Sequence, residues 1–298
     1  MNTILSIQGL NKRYGKIHAV NNLTFEIEKG NVYGILGPNG SGKTTTLSII
    51  LGVVSQDSGS FLWFGKPASP ESRKKIGAIL EHPIFYPYMS AEDNLKIIAD
   101  IKGVDAGDIE RVLKTVELYD RKDSKFKTFS YGMKQRLAIA GALLGNPEVL
   151  IFDEPTNGLD PKGIAEIREL IIDIAKQGIT IILASHLLDE VQKTCTHVLV
   201  LNKGQKLFAG KVDEVLNVAG TIEIASDDLE KLQFALNGID FISNVKQEGD
   251  ILTAKIEAGK TMYDLNKILV GNEIIVTHLT KRKRSLEKQF LELVSENQ

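Results

Sequence analysis

Short apolar runs alternate with helical patterns along the first two-thirds of the chain. Short segments that are apolar throughout, or in which apolar and polar residues alternate, predict strands, and apolar positions repeating every three to four residues predict helices. The predicted strands are Leu5–Ile7, Leu23–Ile27, Val32–Leu36, Ile76–Leu80, Val149–Phe152, Ile179–Leu183 and Val198–Leu201, and the predicted helices include Thr44–Leu51, Ile109–Leu118, Met133–Leu144 and Lys162–Lys176. This alternation favours an α/β fold with a largely parallel sheet. A mainly helical block at about 86–146 predicts an inserted α-helical subdomain.

The pattern changes after about residue 215. Strands and helices then follow in the order βαββαβ, which is typical of a ferredoxin-like α+β domain. The predicted elements are Thr221–Ile224, Asp228–Leu236, Phe241–Val245, Ile251–Ile256, Thr261–Leu269 and Ile274–Val276, followed by a terminal helix at Leu286–Val294. The sequence therefore predicts two domains, at 1–215 and 216–298.

Composition narrows the possible functions. The length of 298 residues suits about two domains. A formal net charge of −2 argues against nucleic-acid binding through bulk charge. A single cysteine, Cys195, excludes an internal disulfide and any multi-cysteine metal cluster. With no apolar run of about 18–20 residues and no secretory leader pattern, the expected location is intracellular.

A glycine-rich loop follows the strand Val32–Leu36. The segment Gly37-Pro38-Asn39-Gly40-Ser41-Gly42-Lys43-Thr44 fits the pattern G-x-x-x-x-G-K-[ST], and Thr45 continues into the helix. Glycines let backbone N–H groups wrap a phosphate, and the helix start adds a positive dipole end. Lys43 can supply charge to the β- and γ-phosphates, and the Thr44 hydroxyl can bind Mg²⁺. The loop predicts a nucleotide-phosphate site.

Acids and a histidine follow two later strands. Asp153 and Glu154 end the strand beginning at Val149, and His186 follows Ile179–Leu183. Parallel strands bring such residues to one sheet edge, where ligands bind. Asp153 can hold Mg²⁺, Glu154 can orient or deprotonate the attacking water, and His186 can contact the γ-phosphate. Taken alone, each group also fits a role without chemistry: a solvated acidic turn, or a histidine at a helix start.

A further segment gives these residues a family context. Phe129-Ser130-Tyr131-Gly132-Met133-Lys134-Gln135-Arg136 resembles the signature of ABC ATPases, commonly L-S-G-G-Q. Residues 1 to about 215 resemble an ABC nucleotide-binding domain, which implies a P-loop NTPase fold. The remainder resembles the C-terminal extension of one bacterial branch of these ATPases.

The resemblance implies roles for several residues. Tyr14 matches the aromatic residue that stacks on adenine, although a packed tyrosine at a strand edge is the alternative. Ser130 and Gly132 match signature positions that contact the γ-phosphate held by the opposite subunit. Asp160 matches the loop that crosses the dimer interface, and His186 matches the switch histidine. A head-to-tail homodimer that binds two ATP molecules is therefore expected.

Three positions depart from the common family pattern. Tyr131 replaces a glycine, Met133 replaces a glutamine, and Glu81 stands where the family usually has a glutamine that touches Mg²⁺ and the attacking water. A carboxylate remains a suitable ligand for Mg²⁺. Glu81 is similar to the branch that exports peptide antibiotics such as bacitracin and lantibiotics, and a tolerated substitution without meaning for the substrate is the alternative.

The resemblance implies the ATPase subunit of an ABC exporter, peripheral on the cytoplasmic face of the membrane through separate permease subunits. A soluble ABC ATPase that acts on ribosomes or DNA is the alternative. The apolar cluster at 84–88 has two interpretations, which are core packing and a groove for a permease helix.

Overall fold

The computed structural model describes residues 2–81, 83–212, 217–257 and 259–283. The described residues divide into two compact units, one that extends to Val212 and one that starts at Asn217. The predicted terminal helix at Leu286–Val294 lies outside the described residues.

A six-stranded sheet forms the centre of the first unit. Its strands are β3 (Val32–Leu36), β6 (Ile76–Ile79), β7 (Val149–Asp153), β8 (Thr180–Ser185), β9 (His197–Asn202) and β10 (Gln205–Lys211). They lie in the order β10-β9-β3-β8-β7-β6, and every pair is parallel except β10 with β9. All residues of β3, β7 and β8 are buried, because both faces of a parallel sheet are covered.

Seven α-helices occur in the described part of the first unit. They are α1 (Lys43–Ile50), α2 (Pro70–Lys74), α3 (Ala91–Lys102), α4 (Asp108–Thr115), α5 (Tyr131–Leu143), α6 (Pro161–Lys176) and α7 (Leu188–Thr194). Local signals set their ends: Ser90 caps α3, and Gly103 ends it with φ 67°. Helices α3, α4 and α5 lie within the predicted helical block, together with short 3₁₀ turns at Tyr119–Arg121 and Phe126–Thr128.

A second, antiparallel sheet belongs to the same unit. Its strands are β1 (Thr3–Tyr14), β2 (Ile17–Glu28), β4 (Ser58–Trp63) and β5 (Lys66–Pro67), in the order β2-β1-β4-β5. Its apolar residues pack with those of α1 and the central sheet in one core. Trp63 is fully buried there, and its indole N–H donates to the Ile50 carbonyl oxygen at 2.8 Å. This core fixes α1, and therefore the loop before it, against both sheets.

The second unit has the predicted βαββαβ order. Its elements are β11 (Asn217–Ser226), α8 (Leu229–Asn237), β12 (Ile242–Glu248), β13 (Ile251–Ile256), α9 (Met262–Gly271) and β14 (Val276–Lys283). The strands form an antiparallel sheet in the order β12-β13-β11-β14, which is the ferredoxin-like topology. Leu232 and Leu236 of α8 and Leu265 and Leu269 of α9 are fully buried in its core. The predicted α/β fold with a ferredoxin-like C-terminal region is confirmed.

Candidate functional site

The glycine-rich loop connects β3 to α1 in a conformation that only glycine allows at two positions. Gly42 has φ 102°, and a side chain there would clash with the Ala19 carbonyl oxygen. A Cβ atom at Gly37 would overlap the Leu201 carbonyl oxygen and the Ser41 hydroxyl. The backbone of two strands, β2 at Ala19 and β9 at Leu201, therefore approaches the loop so closely that only glycine fits at these positions.

Lys43 is held inside this loop. Its side chain is only 6% exposed, and its Nζ donates to the carbonyl oxygens of Gly37 at 2.8 Å and Pro38 at 3.3 Å. The same Nζ lies 3.6 Å from Oε1 of Glu154, which follows β7. A buried ammonium group thus faces a carboxylate across the mouth of the loop.

Thr44 and Asp153 are joined directly. The Thr44 hydroxyl donates to Asp153 Oδ2 at 2.7 Å, and Asp153 is buried. Its second oxygen, Oδ1, has no hydrogen-bond partner among the residues that the structure describes. Burial raises the pKa of Asp153, while the Thr44 hydrogen bond opposes that rise and the nearby Glu154 charge adds to it. A buried carboxylate oxygen without a partner, beside a hydroxyl oxygen, is a donor set that suits Mg²⁺.

The described residues contain no group of three or more His, Cys, Asp or Glu side chains placed to hold a metal ion.

Glu154 and His186 meet at the carboxyl ends of neighbouring strands. Glu154 has the uncommon φ of 49°, and its N–H donates to the Ala184 carbonyl oxygen at 2.9 Å. Its Oε2 lies 2.8 Å from Nδ1 of His186. Because β7 and β8 are parallel neighbours, the structure brings together Lys43, Glu154 and His186, as the sequence predicts.

Glu81 lies at the same sheet edge. It follows β6, which pairs with β7, and it is exposed with φ 60°. Tyr14 ends β1 with 48% of its surface exposed, and the Lys12 ammonium lies 5.6 Å from its ring centre. Neither side chain is hydrogen-bonded to Lys43, Thr44 or Asp153 in the described structure.

Ser130 and Asp160 each begin a helix. The Met133 N–H donates to Ser130 Oγ at 3.3 Å at the start of α5, and the Gly163 N–H donates to Asp160 Oδ1 at 2.9 Å at the start of α6. Their helices start side by side, since a Cβ atom at Gly132 would contact the side chain of Leu159. These predicted residues form a second cluster, and no hydrogen bond joins it to the phosphate loop within the described ranges.

The sequence prediction misses one buried pair beside the site. The Thr156 hydroxyl donates to Glu190 Oε2 at 2.6 Å, and Oε1 of Glu190 has no hydrogen-bond partner in the described part of the chain. Burial raises the pKa of Glu190. Its place in the short α7, two residues after the apolar pair 187–188, is the only sequence feature that suggests burial.

Comparison with known proteins identifies the family. Residues 20–157 match the family model for "ABC transporter". A bacitracin transport ATP-binding protein of Bacillus licheniformis is 38% identical over 302 residues, which cover 99% of this chain and 98% of that protein. The chain belongs to the ABC transporter ATP-binding family.

Two other similar proteins agree with this assignment. A lantibiotic transport ATP-binding protein of Streptococcus pyogenes is 42% identical over 210 residues, or 70% of this chain and 92% of that protein. The solved structure of cbiO1 from Clostridium perfringens, part of an ABC transporter complex, is 33% identical with a TM-score of 0.65, covering 72% of this chain and 91% of that one. The predicted similarity to the bacitracin and lantibiotic branch is confirmed.

Membership in the family makes this ABC protein an ATP-binding subunit of a transporter and an ATPase. Among the residues that the structure describes, none of the helices combines the length and the apolar character that crossing a bilayer requires.

Proposed function

We propose that this ABC subunit hydrolyses Mg-ATP as a head-to-tail dimer and thereby drives export of a peptide antibiotic or another hydrophobic compound through separate membrane subunits. The observation that carries the proposal is the convergence of Lys43, Thr44, Asp153, Glu154 and His186 at one sheet edge. Similarity over nearly the full length to a bacitracin transport protein supports the substrate class.

Residues 37–45 bind the phosphates of ATP. The amino end of α1, which begins after Gly42 without a side-chain cap, offers its N–H groups to phosphate oxygens, and the ammonium group of Lys43 adds a full positive charge. On binding, Lys43 exchanges its carbonyl partners for phosphate oxygens. Tyr14, exposed at the end of β1, stacks on the adenine ring.

Thr44 and Asp153 hold Mg²⁺, with Glu81 at the rim of the same edge. When bound, Mg²⁺ neutralises charge on the β- and γ-phosphates. The unpartnered Asp153 Oδ1 then gains the partner that its burial requires.

Glu154 acts on the water that attacks the γ-phosphate. One carboxylate oxygen faces Lys43 and the other is fixed by His186, so the group is oriented on both sides. Glu154 orients this water and accepts its proton, and ATP and water become ADP and phosphate. His186 contacts the γ-phosphate and registers its departure through the 2.8 Å contact with Glu154.

Ser130, Gly132 and Asp160 serve the opposite subunit. Within the described ranges, no hydrogen bond joins this cluster to the phosphate loop of the same chain, which suits residues that complete the site of a partner copy. The capped amino end of α5 presents a positive dipole end to the γ-phosphate held by that copy. Two copies paired head to tail therefore enclose two ATP molecules.

The apolar cluster at 84–88 is the proposed contact with the permease. Phe85 packs on Phe126 with ring centres 5.0 Å apart, whereas Ile84, Tyr86 and Tyr88 are largely exposed. Ile84 and Phe85 also border a cleft of about 220 Å³. Exposed apolar patches mark partner surfaces, so a cytoplasmic helix of the membrane subunit fits here. The contact places the chain at the inner face of the membrane.

The proposal is tested in two steps. First, the purified chain is given Mg-ATP, and phosphate release and molecular mass are measured; ATP-dependent pairing and turnover are expected. Second, the chain is produced together with the membrane subunits that copurify with it, and cell survival is measured against bacitracin and a lantibiotic.

The controls separate the parts of the proposal. Lys43→Ala is expected to lose both turnover and protection, whereas Ile84→Asp is expected to keep basal turnover and lose copurification. Absence of nucleotide binding in the folded chain would overturn the ATPase mechanism. Turnover without protection against any tested compound would overturn only the export assignment.

A further inference from the structure

The first turns of α5 and α6 are packed together at their capped ends. The ring of Tyr131 lies over Gly158, since a Cβ atom placed there would be 3.4 Å from the ring. One residue further along each segment, Gly132 faces the side chain of Leu159. Ser130 caps α5 and Asp160 caps α6, so the two proposed partner-facing residues lie at the ends of helices whose first turns are packed together.

An ion pair joins the same helices further along. Arg136 Nη2 donates to Glu166 Oε2 at 3.1 Å. Each of these residues is the sixth after its helix cap, Ser130 or Asp160. Six residues correspond to about 9 Å along a helix. Packing therefore joins the two helices at their first turns, and the ion pair joins them again about 9 Å further along. The ion pair lies at the same distance from the start of each helix.

Arg136 also fixes a third element. Its Nη1 donates to the Val116 carbonyl oxygen at 3.2 Å and to Glu117 Oε2 at 2.9 Å, just after α4 ends. The arginine side chain is only 14% exposed. A planar guanidinium group can satisfy all three oxygens at once, which a lysine ammonium group on a flexible chain does less well.

We propose that Arg136, through Glu166, is a positioning residue that sets the amino ends of α5 and α6 in one register, so that Ser130 and Asp160 reach the partner's nucleotide together. The inference rests on the proposed dimer. Among the described residues, Arg136 forms no hydrogen bond to the phosphate loop. Its loss should therefore leave ATP binding to the phosphate loop intact and impair the steps that need the second copy.

The test uses the full chain and the variants Arg136→Gln, Glu166→Gln, Arg136→Lys and the double variant. Expected results for Arg136→Gln and Glu166→Gln are a roughly tenfold lower kcat, with the ATP dissociation constant of the monomer unchanged. The double variant should be no worse than Arg136→Gln, because both single changes remove the same contact. Arg136→Lys should be intermediate.

Glu169→Gln is the matched control. Glu169 is exposed on the same helix and borders the same cleft as Arg136 and Glu166, but has no hydrogen bond to Arg136 in the described structure. Its kcat should match that of the parent chain. Thermal unfolding of each variant is measured. Glu166→Gln should fold normally, because the Glu166 side chain is 42% exposed.

A measurement of ATP-dependent dimer formation distinguishes a failure of this inference from a failure of the proposed dimer. Each variant is combined with Glu154→Gln, and dimer formation with ATP is measured by light scattering. If Glu154→Gln alone pairs and the Arg136→Gln combination pairs at least tenfold more weakly, the inference is supported. Equal pairing and equal kcat overturn the inference alone. No pairing of Glu154→Gln at all overturns the dimer mechanism and this inference with it.

Discussion

Glu154→Gln tests the central chemical assignment of the site. The substitution keeps the side-chain shape beside His186 and removes one negative charge 3.6 Å from Lys43 Nζ. At an effective dielectric constant of about 20, the Coulomb attraction of such a pair is about 5 kcal/mol, and the cost of removing both charges from water offsets much of it. Without the competing carboxylate, Lys43 is freer to bind phosphate. We therefore expect ATP affinity to be equal or several-fold higher.

Turnover should respond in the opposite direction. A positioned general base contributes about 10²- to 10⁴-fold to a rate, so kcat should fall by that factor. Phosphate release at saturating Mg-ATP measures the rate, and light scattering measures the ATP-bound dimer that should accumulate. Glu148→Gln is the matched control, because Glu148 lies at the other end of β7, paired with Lys29 and Lys75. A Glu154→Gln turnover within threefold of the parent would refute the base assignment.

Three further changes test other parts of the molecule. Lys43→Ala should weaken ATP binding by about 10- to 100-fold through loss of charge-assisted hydrogen bonds, measured by calorimetry; unchanged affinity would contradict the loop assignment. Gly42→Ala should lower the free energy of unfolding, measured in urea, by about 3 kcal/mol or more. Gly40→Ala should lower it by only about 1 kcal/mol, because Gly40 has φ 78° but open space around it. Equal losses would refute the packing argument. Burial lowers the pKa of Lys102 to about 8, and its Nζ donates to three carbonyl oxygens at the end of α5. A lowered lysine pKa means that the unfolded chain holds the proton more tightly than the folded chain. The free energy of unfolding, relative to that of Lys102→Met, should therefore rise by up to about 3 kcal/mol between pH 8 and 10.5. A difference between the two proteins that does not change with pH would contradict the burial of Lys102.

The central sheet can be predicted from sequence because its strands are unbroken apolar runs. The sequence predicts Val32–Leu36 with the bounds that the structure has, and it predicts Val149–Phe152 one residue short. A strand buried on both faces has this pattern wherever it occurs. The residues after such strands share one edge, which is why the amino-acid sequence alone predicts that Lys43, Asp153 and His186 lie close together.

The antiparallel sheet is harder to predict. Strand β4 begins with Ser58, Gly59 and Ser60, and its apolar residues are limited to positions 61–63, so the pattern there predicts no strand. Strand β1 extends to Tyr14, although the predicted strand ends at Ile7, because polar residues paired with β2 and β4 interrupt its pattern. These strands are stabilised by pairing with segments that are distant in the sequence, and the hydrophobic pattern of one segment alone cannot indicate that pairing.

The ion pair of Arg136 with Glu166 has no sequence signature either. Arg136 and Glu166 lie thirty positions apart in the sequence, and a charged residue on a helix does not by itself indicate which distant residue it contacts. Only the packing of α5 against α6 brings them to 3.1 Å. Contacts of this kind depend on how helices cross, which hydrophobic pattern alone does not determine.

The 2.7 Å bond between Thr44 and Asp153 has a consequence for the entropy of ligand capture. When a ligand must fix a side chain that otherwise samples several rotamers, the lost conformational entropy costs the binding free energy about 0.5–1.5 kcal/mol per side chain. Here folding alone already joins the hydroxyl and the carboxylate by a hydrogen bond. A cation held at the proposed site would therefore meet side chains that are already ordered, and little of its binding free energy would be spent on ordering them.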